Sequence, residues 1–266
     1  MGKNPKNPSQ KAKTSARERM RAERARQEKR ARIRRQAIVG VSVAAVLALA
    51  AGLGIALSGA GDEDSAGKPL VVPANTTGPG GTVITYGDPK EKNTLKIYED
   101  PRCPYCAKFE QANGATVKKL ADEGKYKVEY HFATFLDNNL GGQGSKRALN
   151  ALGAAVNEGT DKFMAYHQVL YANHPNESDD AFADTSHLLD LASRVKGLRT
   201  PEFDKAVKEL TYLPWVEKVS AEFDKSGVTG TPTVVLNGKR LEVINDRGAI
   251  SPQQFTALVE KELGGK

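Results

Sequence analysis

Cys103 and Cys106 are the only thiols in this chain of 266 residues, and they stand three positions apart in DPRCPYCAKFE (100–110). Two cysteines this close can form a disulfide, bind part of a metal site or cycle between the dithiol and disulfide states. A purely structural disulfide explains the spacing poorly, because closing so short a loop stabilises a fold very little. The spacing therefore favours redox cycling.

The residues around the two cysteines indicate a different role for each thiol. Thiol–disulfide exchange needs a thiolate, and Cys103 stands where a helix is predicted to begin, facing unpaired backbone N–H groups and the positive end of the helix dipole. Pro104 suits the first helical position, since it has no N–H to lose. We expect Cys103 to be the nucleophile with a lowered pKa, Cys106 to be the less exposed resolving thiol, and Pro104 and Tyr105 to tune the redox equilibrium.

The flanking sequence predicts the elements that position this motif. TLKIYE (94–99) and part of YKVEYHFATF (126–135) are β-rich, and helical spacing of apolar residues separates them, which predicts a βαβ unit with parallel strands. In TPTVVLNGKRLEVI (231–244), two further β runs flank Asn237-Gly238, the dipeptide typical of a type I′ hairpin turn.

Two helical regions complete the predicted domain. A block of helices spans about 143–226, between the two β-containing parts, and includes apolar stripes that contain His167 and Trp215. Ser251 and Pro252 are a predicted N-cap and first helical residue of a final helix. The predicted fold class is α/β with a helical insertion.

The N-terminal region indicates where the domain resides. Residues 1–36 carry a net charge of +11 in a chain of +7, and 37–60 contain no charged residue. A run of this length can span a bilayer as a helix, and the flanking charges match the positive-inside rule. We therefore predict a basic cytoplasmic tail (1–36), a transmembrane signal anchor (37–60), a flexible linker (61–81) and an extracytoplasmic domain (82–266).

Two alternative interpretations of this N-terminal region have less support. A basic tail alone is also typical of nucleic-acid binding, but the adjoining apolar run favours export, so we predict no nucleic-acid partner. A cleaved signal peptide has a shorter basic region and a shorter apolar core than this segment, so we favour an uncleaved anchor.

Together, YEDPRCPYCAKFE after the first core strand and GVTGTPTVVLNG (227–238) before the hairpin resemble the thioredoxin superfamily, and within it the membrane-anchored, DsbA-like bacterial thiol-disulfide oxidoreductases. The resemblance covers 82–266 and implies a thioredoxin-like fold with a helical insertion. It also implies that Thr231-Pro232 has a cis peptide bond, packs against the cysteine pair and offers backbone groups to a substrate chain.

One position departs from this family. Many thioredoxin-like enzymes carry a buried acid six residues before the first cysteine, where this chain has Ile97. Glu99 can substitute if its side chain turns toward the cysteines. We favour the simpler interpretation, in which Glu99 is a solvated strand end and Asp100 forms a turn or cap.

Metal binding and other catalytic motifs find little support in the sequence. Neither a second CxxC nor an HxxxH pattern accompanies the cysteines, and a structural zinc site needs four ligands at such spacings. We predict no metal and no cofactor, and we interpret His167 as a packed core histidine.

The predicted function is that of a membrane-tethered thiol-disulfide oxidoreductase that donates disulfides to reduced exported proteins and is reoxidised by a membrane partner. An extracytoplasmic reductase of the same fold, for example in cytochrome maturation, is the alternative enzyme. A non-catalytic peptide-binding module is the alternative from another class. Since the sequence shows no separate dimerisation segment, we expect a monomer.

Overall fold

The computed structural model describes residues 67–176 and 178–264. The predicted basic tail, the predicted anchor and residues 61–66 lie outside them. Among the described residues, no helix has both the length and the apolar character needed to cross a bilayer.

In the part of the chain that the structure describes, six strands form one mixed sheet in the order β1-β2-β4-β3-β5-β6, and two form a separate ribbon, β7–β8. The strands are β1 (Thr76–Thr77), β2 (Val83–Tyr86), β3 (Thr94–Glu99), β4 (Lys127–Phe132), β5 (Thr233–Leu236), β6 (Lys239–Leu241), β7 (Ile244–Asn245) and β8 (Gly248–Ala249). β3 pairs in parallel with β4 and antiparallel with β5, so it is an inner strand of the sheet. The residues that follow β3 therefore start from the middle of the sheet and not from one of its edge strands.

Eight α-helices of the described residues pack around this sheet. They are α1 (Pro104–Asp122), α2 (Phe135–Leu140), α3 (Gly144–Glu158), α4 (Thr160–Ala172), α5 (Thr185–Ser193), α6 (Pro201–Lys208), α7 (Leu213–Lys225) and α8 (Pro252–Glu262). α1 is the crossover between β3 and β4, which confirms the predicted βαβ unit. Helices α2 to α7 follow β4 and form the predicted helical insertion, which begins at Phe135, earlier than expected.

Local signals explain several element ends. Asn237 and Gly238 have positive φ angles of 50° and 88°, as a type I′ turn between β5 and β6 requires. Ser251 forms a capping box with Gln254 at the start of α8, with Pro252 at the first position. These predictions from sequence are confirmed.

The N-terminal border of the domain differs from the predicted one. The described part of the predicted linker contains β1, and the backbone N–H of Ala74 donates a hydrogen bond to Asn157 on α3. The indole N–H of Trp215 donates to the Gly81 carbonyl over 2.7 Å. The lack of apolar periodicity in this segment predicts a flexible tether. In the structure, side chains of the insertion helices instead form hydrogen bonds with its backbone.

Candidate active site

Cys103 caps the N-terminus of α1. Its backbone is extended, its Sγ accepts a hydrogen bond from the backbone N–H of Cys106 over 3.4 Å, and Pro104 is the first helical residue. Both thiols are free, and Cys103 is 5% exposed whereas Cys106 is fully buried. The first cysteine therefore reaches the surface and the second lies beneath it.

The two thiols have very different proton affinities. A hydrogen bond with the Cys106 side chain is the largest cause that lowers the pKa of Cys103 to about 7; the backbone N–H groups of Cys106 and Tyr105 act in the same direction, while burial opposes them. Burial, followed by the hydrogen bond with Cys103, raises the pKa of Cys106 well above its ordinary value. The order agrees with the expectation, but the neighbouring thiol outweighs the backbone N–H groups that the sequence suggested.

The Thr231–Pro232 loop lies against Cys103 and forms part of the wall of a groove. Its peptide bond is cis, and the Thr231 carbonyl oxygen lies 3.4 Å from Cys103 Sγ. The groove has a volume of about 1060 Å³ and runs between the start of α1, this loop and the β7–β8 ribbon. Tyr105 is 49% exposed and lines it together with Lys108, whose ammonium lies over the Tyr105 ring. An extended polypeptide can therefore approach Cys103 from this side.

Glu99 is not a solvated strand end, and that interpretation was wrong. It occupies an inward-facing position of β3, is fully buried, and its Oε2 lies 2.8 Å from Nε2 of His167 on α4. Burial raises the pKa of Glu99 to about 8. The charge of Glu99 also raises the pKa of Cys106, so this carboxyl belongs to the site.

Two further members of this region, Glu110 and His167, were not predicted as site residues. His167 is a buried core histidine as expected, but its Nδ1 also lies 3.9 Å from Glu110 Oε2. One signal for Glu110 was present in the sequence, since a residue four positions after Cys106 lies on the same face of a helix. We refer to Glu99, Glu110 and His167 as the acid cluster.

Asp100 forms the predicted turn, but in a buried position. Its Oδ1 accepts hydrogen bonds from the Arg102 backbone N–H and the Ser145 hydroxyl, and its Oδ2 accepts one from the Leu136 N–H. The predicted turn is therefore confirmed, and α2 and α3 bury its carboxylate. Burial raises its pKa to about 6.

Arg102, directly before Cys103, anchors the active-site loop to the helical insertion. Its guanidinium lies 2.9 Å from Asp137 and 3.2 Å from Asp180, and it donates to the Gly141 carbonyl. Arg102 is 3% exposed, so the contact is shielded from water. We refer to Arg102, Asp137 and Asp180 as the arginine cluster.

A metal ion has one geometrically possible place among the described residues. Glu99, Glu110 and His167 each offer a ligand atom, and these atoms lie within 4.8 Å of one another. Neither Cys103 nor Cys106 belongs to this group. A structural zinc site uses four ligands, one more than this cluster offers. A proton shared between the two carboxyls offsets their mutual repulsion without a metal ion.

Comparisons with known proteins identify the family to which this fold belongs. A family model described as thioredoxin matches residues 80–261. The disulfide bond formation protein D of Bacillus subtilis (strain 168) is 26% identical over 174 residues, which is 65% of this chain and 73% of that protein. The reduced form of the disulfide bond oxidoreductase DsbG from Mycobacterium tuberculosis is similar with a TM-score of 0.57 and 27% identity, over 71% of this chain and 90% of that one. Oxidised DsbA of the same organism is similar with a TM-score of 0.54 and 27% identity, over 73% of this chain and 89% of that one.

Proposed function

Because this chain belongs to the thioredoxin family and is a DsbA-like thiol-disulfide oxidoreductase, we propose that it oxidises reduced exported proteins through Cys103 and Cys106. The observation that carries the proposal is the position of Cys103. Its sulfur has the lower pKa and lies 3.4 Å from the Thr231 carbonyl, beside a groove large enough for a polypeptide. The relative from Bacillus subtilis is named for disulfide bond formation, which supports the oxidising direction.

The reaction begins when a substrate thiolate attacks Sγ of Cys103 in the disulfide form. The bond between Cys103 and Cys106 breaks, and Cys106 leaves with the electron pair. A second substrate thiolate then attacks the substrate sulfur of the mixed disulfide and releases Cys103 as a thiolate. The substrate loses two electrons and the cysteine pair gains them, so a membrane partner must reoxidise the pair. In this proposal, Thr231 and Pro232 hold the substrate backbone, and Pro104 and Tyr105 tune the thiol pair.

One observation favours a reductase instead. A disulfide becomes more oxidising when its reduced form is stabilised, and a Cys103 pKa of about 7 stabilises the thiolate only moderately. The reduction potential of the full chain, equilibrated with glutathione at neutral pH, separates the two directions. A potential near that of DsbA supports the oxidase, and one near that of thioredoxin establishes the reductase.

The proposed location is extracytoplasmic, with residues 37–60 as an uncleaved single-pass anchor and 1–36 in the cytoplasm. The charge pattern of the N-terminal region supports it. Protease added outside spheroplasts should digest the domain and leave a protected basic fragment. Protection of the domain would contradict export, and absence of the tail from the mature chain would contradict an uncleaved anchor.

A further inference from the structure

The groove beside Cys103 has walls of opposite charge sign to the rest of the domain. Lys108 lies on the α1 wall, and Arg247 and Asp246 form the turn between β7 and β8 on the other wall. These three are the charged residues among the described residues of the walls, so the groove carries a net charge of +1. Since the whole chain carries +7 and residues 1–36 carry +11, the remaining residues carry −4. The groove is therefore a positive site on a negative part of the chain.

Both groove cations lack a carboxylate partner among the described residues. The ammonium of Lys108 lies 4.7 Å from the centroid of the Tyr105 ring, and such a contact leaves the charge in place. Arg247 is held through its backbone N–H, which donates to Asn245 Oδ1 over 2.9 Å, so its guanidinium is not engaged there. Both side chains are exposed to solvent. They can therefore bind an anionic group that enters the groove.

Hydrogen bonds fix the wall that carries Arg247 against α1. The buried side chain of Asn113 on α1 donates to the Ile250 carbonyl over 3.0 Å, directly after β8. The Ile250 N–H donates to the Val243 carbonyl over 3.0 Å, directly before β7. The base of the ribbon is thus tied to the helix that carries Lys108. A preformed groove of this kind loses less conformational entropy when a chain binds than a mobile one.

The position of the cations relative to the reactive thiol sets which part of a bound chain they contact. Lys108 follows Tyr105 by three residues, so the two side chains are neighbours on one face of α1. Thr231, whose carbonyl oxygen lies 3.4 Å from Cys103 Sγ, belongs to the same groove. A chain whose cysteine reaches Cys103 therefore places the adjoining residues between Lys108 and the ribbon.

On the premise that this groove holds the polypeptide that exchanges with Cys103, as proposed above, we propose that Lys108 and Arg247 are specificity-determining residues. They favour segments that carry aspartate or glutamate beside the reacting cysteine. Segments with lysine or arginine at these positions are disfavoured, because like charges meet in the groove. Asp246 weakens the preference, since it is the acidic member of the same turn.

The test uses the reduced full chain and short peptides whose single cysteine is bonded to thionitrobenzoate. Aspartates flank this cysteine in one peptide, and lysines flank it in the other. The Cys103 thiolate attacks the peptide sulfur, the S–S bond breaks, and thionitrobenzoate leaves with the electron pair and is followed by its absorbance. Each rate constant is divided by that of mercaptoethanol with the same peptide, because the flanking charges also change the reactivity of the peptide.

In the wild type, the corrected rate should be about five- to tenfold higher for the aspartate peptide at about 0.1 M salt. Charges more than about 10 Å away are largely screened under these conditions, so the ratio reports on the groove. At about 1 M salt the ratio should approach one, because the Debye length falls to about 3 Å. Equal corrected rates for the two peptides at the lower salt concentration would overturn the proposal.

Charge reversal identifies the residues responsible. Lys108→Glu and Arg247→Glu should each lower the ratio by about threefold, and the double variant should prefer the lysine peptide. Asp246→Asn should raise the ratio by about twofold. Any change in the reactivity of Cys103 cancels, because both rates come from the same protein.

Lys119→Glu is the matched control, since Lys119 is an exposed residue of α1 that does not line the groove. It changes the net charge by the same amount as Lys108→Glu and should keep the wild-type ratio. Equal losses in these two variants would show that net charge, and not the groove, sets the preference, and would refute the proposal.

The peptide ratio and the direction of exchange are measured separately. Attack of Cys103 on an activated peptide proceeds whether the protein is an oxidase or a reductase. A preference for the aspartate peptide together with a potential near that of thioredoxin would therefore support the groove proposal and refute only the oxidase function. An oxidising potential without any preference would refute only the groove proposal.

Discussion

The acid cluster begins at Glu99 and the arginine cluster at Arg102, near the same strand end, yet the two clusters are built on opposite principles. In the arginine cluster, the guanidinium of Arg102 faces two carboxylates, and Asp137 also accepts the backbone N–H groups of Ser145 and Lys146. In the acid cluster, Glu99 and Glu110 share one neutral imidazole. The first cluster pairs its carboxylates with a cation and N–H donors and fixes the loop, whereas the second must gain or lose protons. A buried group that lacks partners is the better indication of chemistry.

The largest effect is expected from breaking the arginine cluster. Arg102→Met leaves Asp137 buried without its cation and should lower the free energy of unfolding by about 3–5 kcal/mol, measured by urea denaturation. Lys118→Met is the control, because it removes the exposed ion pair with Asp122 and should cost less than about 1 kcal/mol. Similar losses in the two variants would show that the cluster does not anchor the loop.

The next effect sharpens the contrast between Cys103, the thiol at the start of α1, and Cys106, the fully buried thiol. Near pH 6, a thiol-alkylating reagent should label Cys103 at least about 100-fold faster than Cys106, because the thiolate fractions follow pKa values of about 7 and well above 9. Mass spectrometry of the reduced protein gives both rates. Faster labelling of Cys106 would reverse the assigned roles.

The last effect is spread over several pH units and concerns the stability cost of the acid cluster. The folded pKa of Glu99 is raised from 4.5 to about 8, so the folded state binds more protons than the unfolded state between these values. Stability should therefore fall with rising pH in this window, by up to about 1.4 kcal/mol per unit.

Glu99→Gln removes this dependence on pH. Relative to the wild type, the variant should gain stability steadily from pH 4.5 to 8 and change little below pH 4.5. Urea denaturation at several pH values measures the gain. A constant difference between the two proteins at every pH would contradict a raised pKa for Glu99.

Local patterns in the sequence were sufficient for much of the fold. The CxxC pair at a helix start, the Asn237-Gly238 turn and the cap at Ser251 were all predicted, because each depends on hydrogen bonds and backbone angles within a few residues. The parallel pairing of β3 and β4 followed from the intervening helix. The resemblance to a known family, rather than any local signal, indicated the cis bond before Pro232.

Only the tertiary structure decided what surrounds the cysteines. Glu99 and Asp100 at a strand end are compatible with solvent until the insertion helices cover them, and α4 brings His167 from 68 residues away to Glu99. The sequence by itself predicted which residues do the proposed exchange chemistry, since thiol spacing and a helix start are local. Which carboxyl is buried, and therefore which one holds a proton at neutral pH, depends on desolvation by distant segments, and no local pattern encodes that.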